Sequence, residues 1–322
     1  MIGQQIHLPA KQHKPTWWRV HAQRLRARWR QLGAQWDLFR RNRFGLLGLA
    51  LIAGFGLMAV IHPFLMSTVW NRARYDPIVG YDVDQRPHPS APSPQHLLGT
   101  DNFGRDVLSQ LIAGSQTSFG VGIVAAAVAV TLSTLLGASA AYFGGVVDVV
   151  LMGVSDVFVL MPAPVVLLIF GLLLRLDWPM VAIGYGILTG LGGQALVVKS
   201  QALTVKVRPF IEAARIAGGG RFHVIRRHIL PSLIPLSIVN GVFTVVGAVL
   251  TESLLSFFGR TSYHLSWGTM IWLGQETFRW FSIRGQWNAV LAPALAIMLY
   301  CGAFYLVGRA LDEVFNPRLQ RR

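Results

Sequence analysis

Six apolar runs dominate this chain, at 44–66, 119–143, 149–174, 180–198, 233–258 and 289–307. About 20 consecutive apolar residues cross the hydrocarbon core of a bilayer as a helix. A strand there would leave backbone hydrogen-bonding groups unpaired in lipid, so each run is expected to be helical. Only 13% of the 322 residues are charged, about half the share usual in globular proteins. The expected fold class is an all-α integral membrane protein with six transmembrane helices. The first run starts behind a long basic segment and exceeds the apolar region of a signal peptide, so it reads as a retained anchor. The lone cysteine, Cys301, lies in the sixth run, so neither a disulfide nor a thiolate metal site can be built within one chain.

Positive residues flanking a span stay on the cytoplasmic side. Residues 1–43 carry ten Lys and Arg against Asp37 alone, which makes them a basic cytoplasmic extension. With alternating spans, 67–118 is an external loop with four Arg against five Asp. The loop at 199–232 is then internal, with seven Lys and Arg against Glu212. Residues 119–310 form a core of five spans and 311–322 a cytoplasmic tail, so both termini lie inside. Insertion and anionic headgroups account for most of the net charge of +15, and nucleic acid is not an expected partner. Within the extension, 17–39 fit either an amphipathic surface helix anchored by Trp17, Trp18, Trp29, Trp36 and Phe39 or a disordered basic tail.

The prolines of "RPHPSAPSPQH" at 86–96 predict an extended linker. After it, Gly99 suits a turn, Thr100 an N-cap and Asp101 the positive end of a helix. Val107, Leu108, Leu111 and Ile112 recur at helical spacing, which predicts a short surface helix ahead of the second span. Pro162 and Pro164 should bend the third span. Asp156 in that span and Glu252 in the fifth are ionisable groups at membrane depth, expected to face a neighbouring helix, a protein interior or a watery path. Asp148 is expected in a short cytoplasmic turn, and Trp267, Trp272 and Trp280 as interfacial anchors.

The internal loop contains "EAARIAGGGRFHVIRRHILP", residues 212–231. Pro209 fits the first turn of a helix, 218–220 break it, and a second helix should run until Pro231. Two short helices meeting at a glycine turn make a surface docking element. Ala213 and Ala214 admit a partner backbone closely, while Glu212 and Arg215 offer charged contacts. His223 and His228 are five apart, off the i, i+4 spacing that places two metal ligands together. His228 is instead read as capping a helix end or meeting a partner. "GGGRFH" lacks the lysine and hydroxyl that a phosphate loop uses, and H-E-x-x-H and G-x-S-x-G are absent, so no catalytic or metal site is expected in this chain.

Glu212, Ala213, Ala214, Gly218, Leu230 and Pro231 match, in spacing, the EAA loop of bacterial ABC-importer permeases, which this segment resembles. The outer motif "GTDNFGRDVLSQLIAG", with Gly99, Thr100, Asp101, Gly104, Arg105 and Asp106, extends the likeness, as do "ESLLSFFG", "SWGTMI" and "LDEVFNPRL". Over roughly 37–319 the chain is similar to the C-type subunit of the dipeptide, oligopeptide and nickel permeases. The resemblance implies a type I ABC importer transmembrane domain in a bacterial inner membrane, with the loop as the coupling helix. The implied partners are a homologous second permease subunit, two ATP-binding subunits, an external solute-binding protein and membrane lipid. ATP and Mg would be bound by the partner subunits, with no cofactor on this chain. The implied cargo is a dipeptide, a longer peptide, a nickel complex or an oligosaccharide. The chain departs from the family in its short polar "RTSYHLSWG" and its long basic extension. An ATP-independent secondary transporter or channel is the alternative, which would rely on Asp156 and Glu252 rather than on the loop.

Overall fold

The computed structural model describes residues 33–84, 87–261, 264–278 and 287–315. Trp17, Trp18, Trp29, Trp280 and the tail beyond 315 lie outside these residues. Trp36 and Phe39 fall in a helical stretch at 33–41, their rings stacked 5.7 Å apart and Phe39 buried. The helices that follow are α1 Arg43–Thr68, α2 Arg72–Tyr75, α3 Val107–Phe143, α4 Gly145–Val159, α5 Ala163–Leu173 and α6 Trp178–Leu191. Then come α7 Gly193–Lys206, α8 Pro209–Ile216, α9 Arg221–Val224, α10 Leu230–Phe257, α11 Trp267–Phe278 and α12 Trp287–Phe315.

Four helical segments are long and apolar enough to cross a membrane: α1, α3, α9 through α10 as one, and α12. Two bent pairs, α4 with α5 and α6 with α7, make six if each counts as one span. The first pair bends by 72°. Pro162, which caps α5, disfavours helix in the residue before it, so the expected bend in the third span is present. The second pair bends by 43° around Gly192, whose ψ of −128° takes it out of helical geometry. The fourth apolar run ends at 198, but the helix that carries its second half continues to Lys206.

The second span also differs from expectation. In place of a short surface helix followed by a span, α3 is one helix of 37 residues, about 55 Å long at 1.5 Å per residue. Its N-cap is Asp106, which accepts from the Ser109 N–H at 2.6 Å, and Thr100 is not a cap. No proline or turn residue breaks the helix at the expected interface, and its polar residues find partners in place. Ser109 donates to Tyr75 O and Gln116 to Ala59 O.

Lipid supplies no hydrophobic drive between helices, so close approach by small residues must do the packing. Ala125 and Ala129 of α3 are fully buried beside α6, where Ala182 and Gly190 are buried too. A Cβ on Gly190 would lie 2.8 Å from the Cα and the carbonyl oxygen of Ala129. Gly190→Leu is therefore expected to lower stability by about 1–3 kcal/mol through overpacking. Thermal unfolding in detergent checks this, and an unchanged midpoint would mean that α3 and α6 move apart freely.

At one end of the bundle Phe55, Val107, Val249, Trp267 and Tyr300 share a core. Trp267 is fully buried and its Nε1 donates to Leu111 O at 2.9 Å, so it is a core residue and not an interfacial anchor. At the other end Tyr142, Val198, Val205, Ile211, Val224 and Leu233 form a second cluster. Asp148 is likewise not in a turn. It stands in the first turn of α4 and pairs with Lys199 at 2.5 Å, with its charge near the positive helix end.

Candidate functional site

The loop after α7 is built on that second cluster. Arg208 precedes α8 in extended conformation and Pro209 occupies its first turn, where a missing N–H costs nothing. Ile211 is fully buried in the cluster, so α8 is pinned by one face. Glu212, Ala213, Arg215 and Ile216 are exposed and Ala214 is half-buried. The Arg215 guanidinium lies 5.2 Å from the Tyr142 ring centroid, a cation–π contact that ties α8 to the end of α3. Lys206 closes the same corner by donating to Ala141 O at 2.8 Å.

Gly218 ends α8 in the left-handed region at φ +81°, where side chains with a Cβ are strained. Its N–H donates to Arg215 O and that of Gly219 to Ala214 O, both at 3.0 Å, satisfying carbonyls that the helix end leaves open. The glycine turn between two helices is thus as expected. The end of the second helix is not: α9 passes through a π turn, Ile225–Ile229, directly into α10, so Pro231 does not stop it. In an α-helix the ring of Pro231 would crowd the carbonyl four residues earlier. The wider π turn, closed by Leu230 N–H to Ile225 O, relieves this, and Ser232 Oγ donates to the carbonyl of His228 at 2.8 Å. Leu230 packs against the cluster while Pro231 is exposed.

The same turn corrects the histidine spacing. Five residues make one π turn, so the rings of His223 and His228 meet at 6.1 Å between centroids, with Phe210 6.3 Å from His228. His228 therefore sits inside a continuous helix rather than at its end.

At the opposite end, the outer motif folds on itself. Gly99 and Gly104 have positive φ. Asp101 does not face a helix end but caps its own loop, accepting from the N–H groups of Phe103 and Arg105 at 2.9 Å. It also pairs with the Arg105 side chain at 2.5 Å and accepts from Gln110. Thr100 is fully buried and bonded to His88 and Ser90.

Asp106 does more than cap α3. His96 is fully buried with Nδ1 2.8 Å from Asp106 Oδ1 and Nε2 2.9 Å from Asp82 Oδ2, and Arg74 Nε stands 3.2 Å beyond Asp82. A neutral imidazole has one N–H and cannot donate to both carboxylates, so the trio holds an extra proton. Burial raises the Asp106 carboxyl above its ordinary value, more than the His96 and Ser109 bonds lower it. For Asp82, burial is outweighed by bonds from His96 and the Asp84 N–H and by the Arg74 charge, so its carboxyl lies below the usual range. Nothing in sequence spacing links positions 82, 96 and 106.

The two carboxylates at membrane depth fare differently. Glu252 is 1% exposed and accepts from Ser256 Oγ at 2.6 Å, with His264 Nε2 at 3.3 Å. Asp156 faces outward from its own chain, on a side of α4 where Val149 and Gly153 are also exposed, and has no partner among the described residues. The structure does not bring these two groups together.

The family described as binding-protein-dependent transport system inner membrane component matches residues 130–321. The dipeptide transport system permease protein DppC of Bacillus subtilis is 30% identical over 288 residues, covering 89% of this chain and 85% of its own. A putative peptide transport system permease protein of Brucella suis is 31% identical, covering 88% and 90%. The oligopeptide transport system permease protein OppC of Haemophilus influenzae is 29% identical, covering 84% and 85%.

Proposed function

This chain belongs to the binding-protein-dependent transport system inner membrane component family and is a permease subunit of an ABC importer; from that premise we propose that it passes peptides delivered by an external binding protein. The cargo follows the relatives, whose names specify dipeptides, oligopeptides and peptides.

In this reading two ATP-binding subunits, which carry ATP and Mg, dock on α8 and on its counterpart in a homologous second permease. The contact is made by Glu212, Ala213, Ala214, Arg215 and the turn at Gly218. The observation that carries the reading is the joint between α8 and the span behind it. Ile211, Val224, Ile225, Ile229 and Leu233 share one buried cluster, and Arg221–Phe257 is one uninterrupted helical segment. A push on the exposed face of α8 therefore moves a membrane span as a lever, through a packed contact rather than a flexible linker. The π turn, with His228, Leu230 and Pro231, is the elbow of that lever.

The second permease is placed against α4. A carboxylate turned toward hydrocarbon is costly, so the face of Asp156 is best covered by protein or water. Charge supports termini and α8 on the cytoplasmic side, with 1–43 as an internal extension and 67–118 as the external loop.

The test is reconstitution. Tagged protein purified from native membranes is expected to bring down a second permease and ATP-binding subunits. In proteoliposomes with the binding protein, it should accumulate labelled peptide only when ATP is supplied on the α8 side. Uptake driven by an ion gradient without ATP would sink the proposal.

A further inference from the structure

An outer-end cavity of about 900 Å³ lies between the loop at 77–81, the motif at 103–105, the end of α5 and the segment joining α10 to α11. That is within the size range of sites that enclose small ligands. Its walls are apolar, with Ile78, Leu173 and Trp272, but three guanidinium residues, Arg105, Arg175 and Arg260, also line it, with His264 and, among the described residues, no Asp or Glu. Asp101 already neutralises Arg105. Arg260 is exposed and forms no ion pair among the described residues.

Behind the wall, Glu252 Oε1 is 3.3 Å from His264 Nε2, and buried His264 Nδ1 has no hydrogen-bond partner among the described residues. Buried polar atoms in native structures are nearly always paired. Here the unpaired nitrogen belongs to a residue that lines the cavity. Glu252 itself is 1% exposed and holds His264 from behind.

From this we infer that the outer cavity is a binding site for the free carboxylate end of an apolar peptide, with Arg260 taking the carboxylate and Leu173 and Trp272 the neighbouring side chain. Guanidinium and carboxylate match in a planar, two-pronged geometry, and a lining with cations and no acid selects the anion. The inference rests on the peptide-import reading and adds to it a place where this chain itself discriminates cargo.

Equilibrium dialysis tests it, using the complete permease complex in nanodiscs without nucleotide. The probes are radiolabelled alanyl-phenylalanyl-alanine and its C-terminal amide. Wild type should bind the acid about tenfold more tightly than the amide, as expected for one charge-assisted hydrogen bond. Arg260→Gln should abolish that preference, and Arg260→Lys should retain only part of it, because an ammonium keeps the charge without the two-pronged match. If wild type binds both alike or neither, or if Arg260→Gln keeps the preference, the inference is overturned. If Arg260→Gln instead loses a partner subunit and weakens both probes equally, the cavity is a protein contact and the inference falls too. ATP-driven peptide uptake by the wild-type complex is measured in parallel. Uptake without an acid preference removes only the cavity site, whereas no ATP-driven uptake removes the cargo reading with it.

Discussion

Replacing Gly218 with proline is expected to leave the protein inserted in the membrane while ATP-driven uptake falls by about 5- to 150-fold, the span of ordinary coupling free energies. The cause is backbone geometry rather than crowding. A Cβ at this position would meet nothing within 4 Å, but φ is +81°. Proline locks φ near −65°, so the turn that sets α8 against α9 cannot form. Glu212→Lys separates docking from folding at the same site. Glu212 is exposed and makes no ion pair among the described residues, so reversing its charge leaves the fold alone. Thermal stability in detergent should be unchanged for Glu212→Lys, and both variants should lose the ATP-binding subunits in a pull-down. If both keep those subunits and transport normally, α8 is not the docking site.

His96→Leu is expected to destabilise the outer end by about 3–5 kcal/mol, the cost of removing one partner from a buried ionic group. Asp82 and Asp106 would then face an apolar side chain from within a site where His96, Asp82 and Asp106 are 0%, 1% and 2% exposed. Limited proteolysis of the external segment and the thermal midpoint both report it. A midpoint equal to wild type would show that the trio is not ionic.

The pH dependence of Asp82→Asn carries a sign that can be fixed in advance. The folded Asp82 carboxyl lies below its ordinary 3.8. Its contribution is therefore fully present above that value and is lost only as pH falls through the lower folded one. The deficit of Asp82→Asn should persist at neutral pH and shrink only in strongly acid buffer. Asp106 works in the opposite sense, because its folded carboxyl is raised and burial favours the neutral form.

Sequence alone determined the class of this protein, its membrane-length apolar runs, the bend near Pro162 and the exposed loop broken at Gly218. These follow from properties of short stretches of chain: apolar length against lipid thickness, a missing N–H, a conformation suited to glycine. Where such local signals competed with distant partners, the fold prevailed. α3 runs past the expected boundary because Tyr75 O and Ala59 O receive its polar side chains. Only the tertiary structure decided the π turn that carries α9 through Pro231 and joins His223 to His228, the burial of Trp267, and the proton shared among Asp82, His96 and Asp106. It alone assembled the outer cavity from segments around 78, 103, 173, 260 and 272. Each of these depends on groups brought together from different parts of the chain, and their energies come from desolvation and close approach, which no spacing rule encodes.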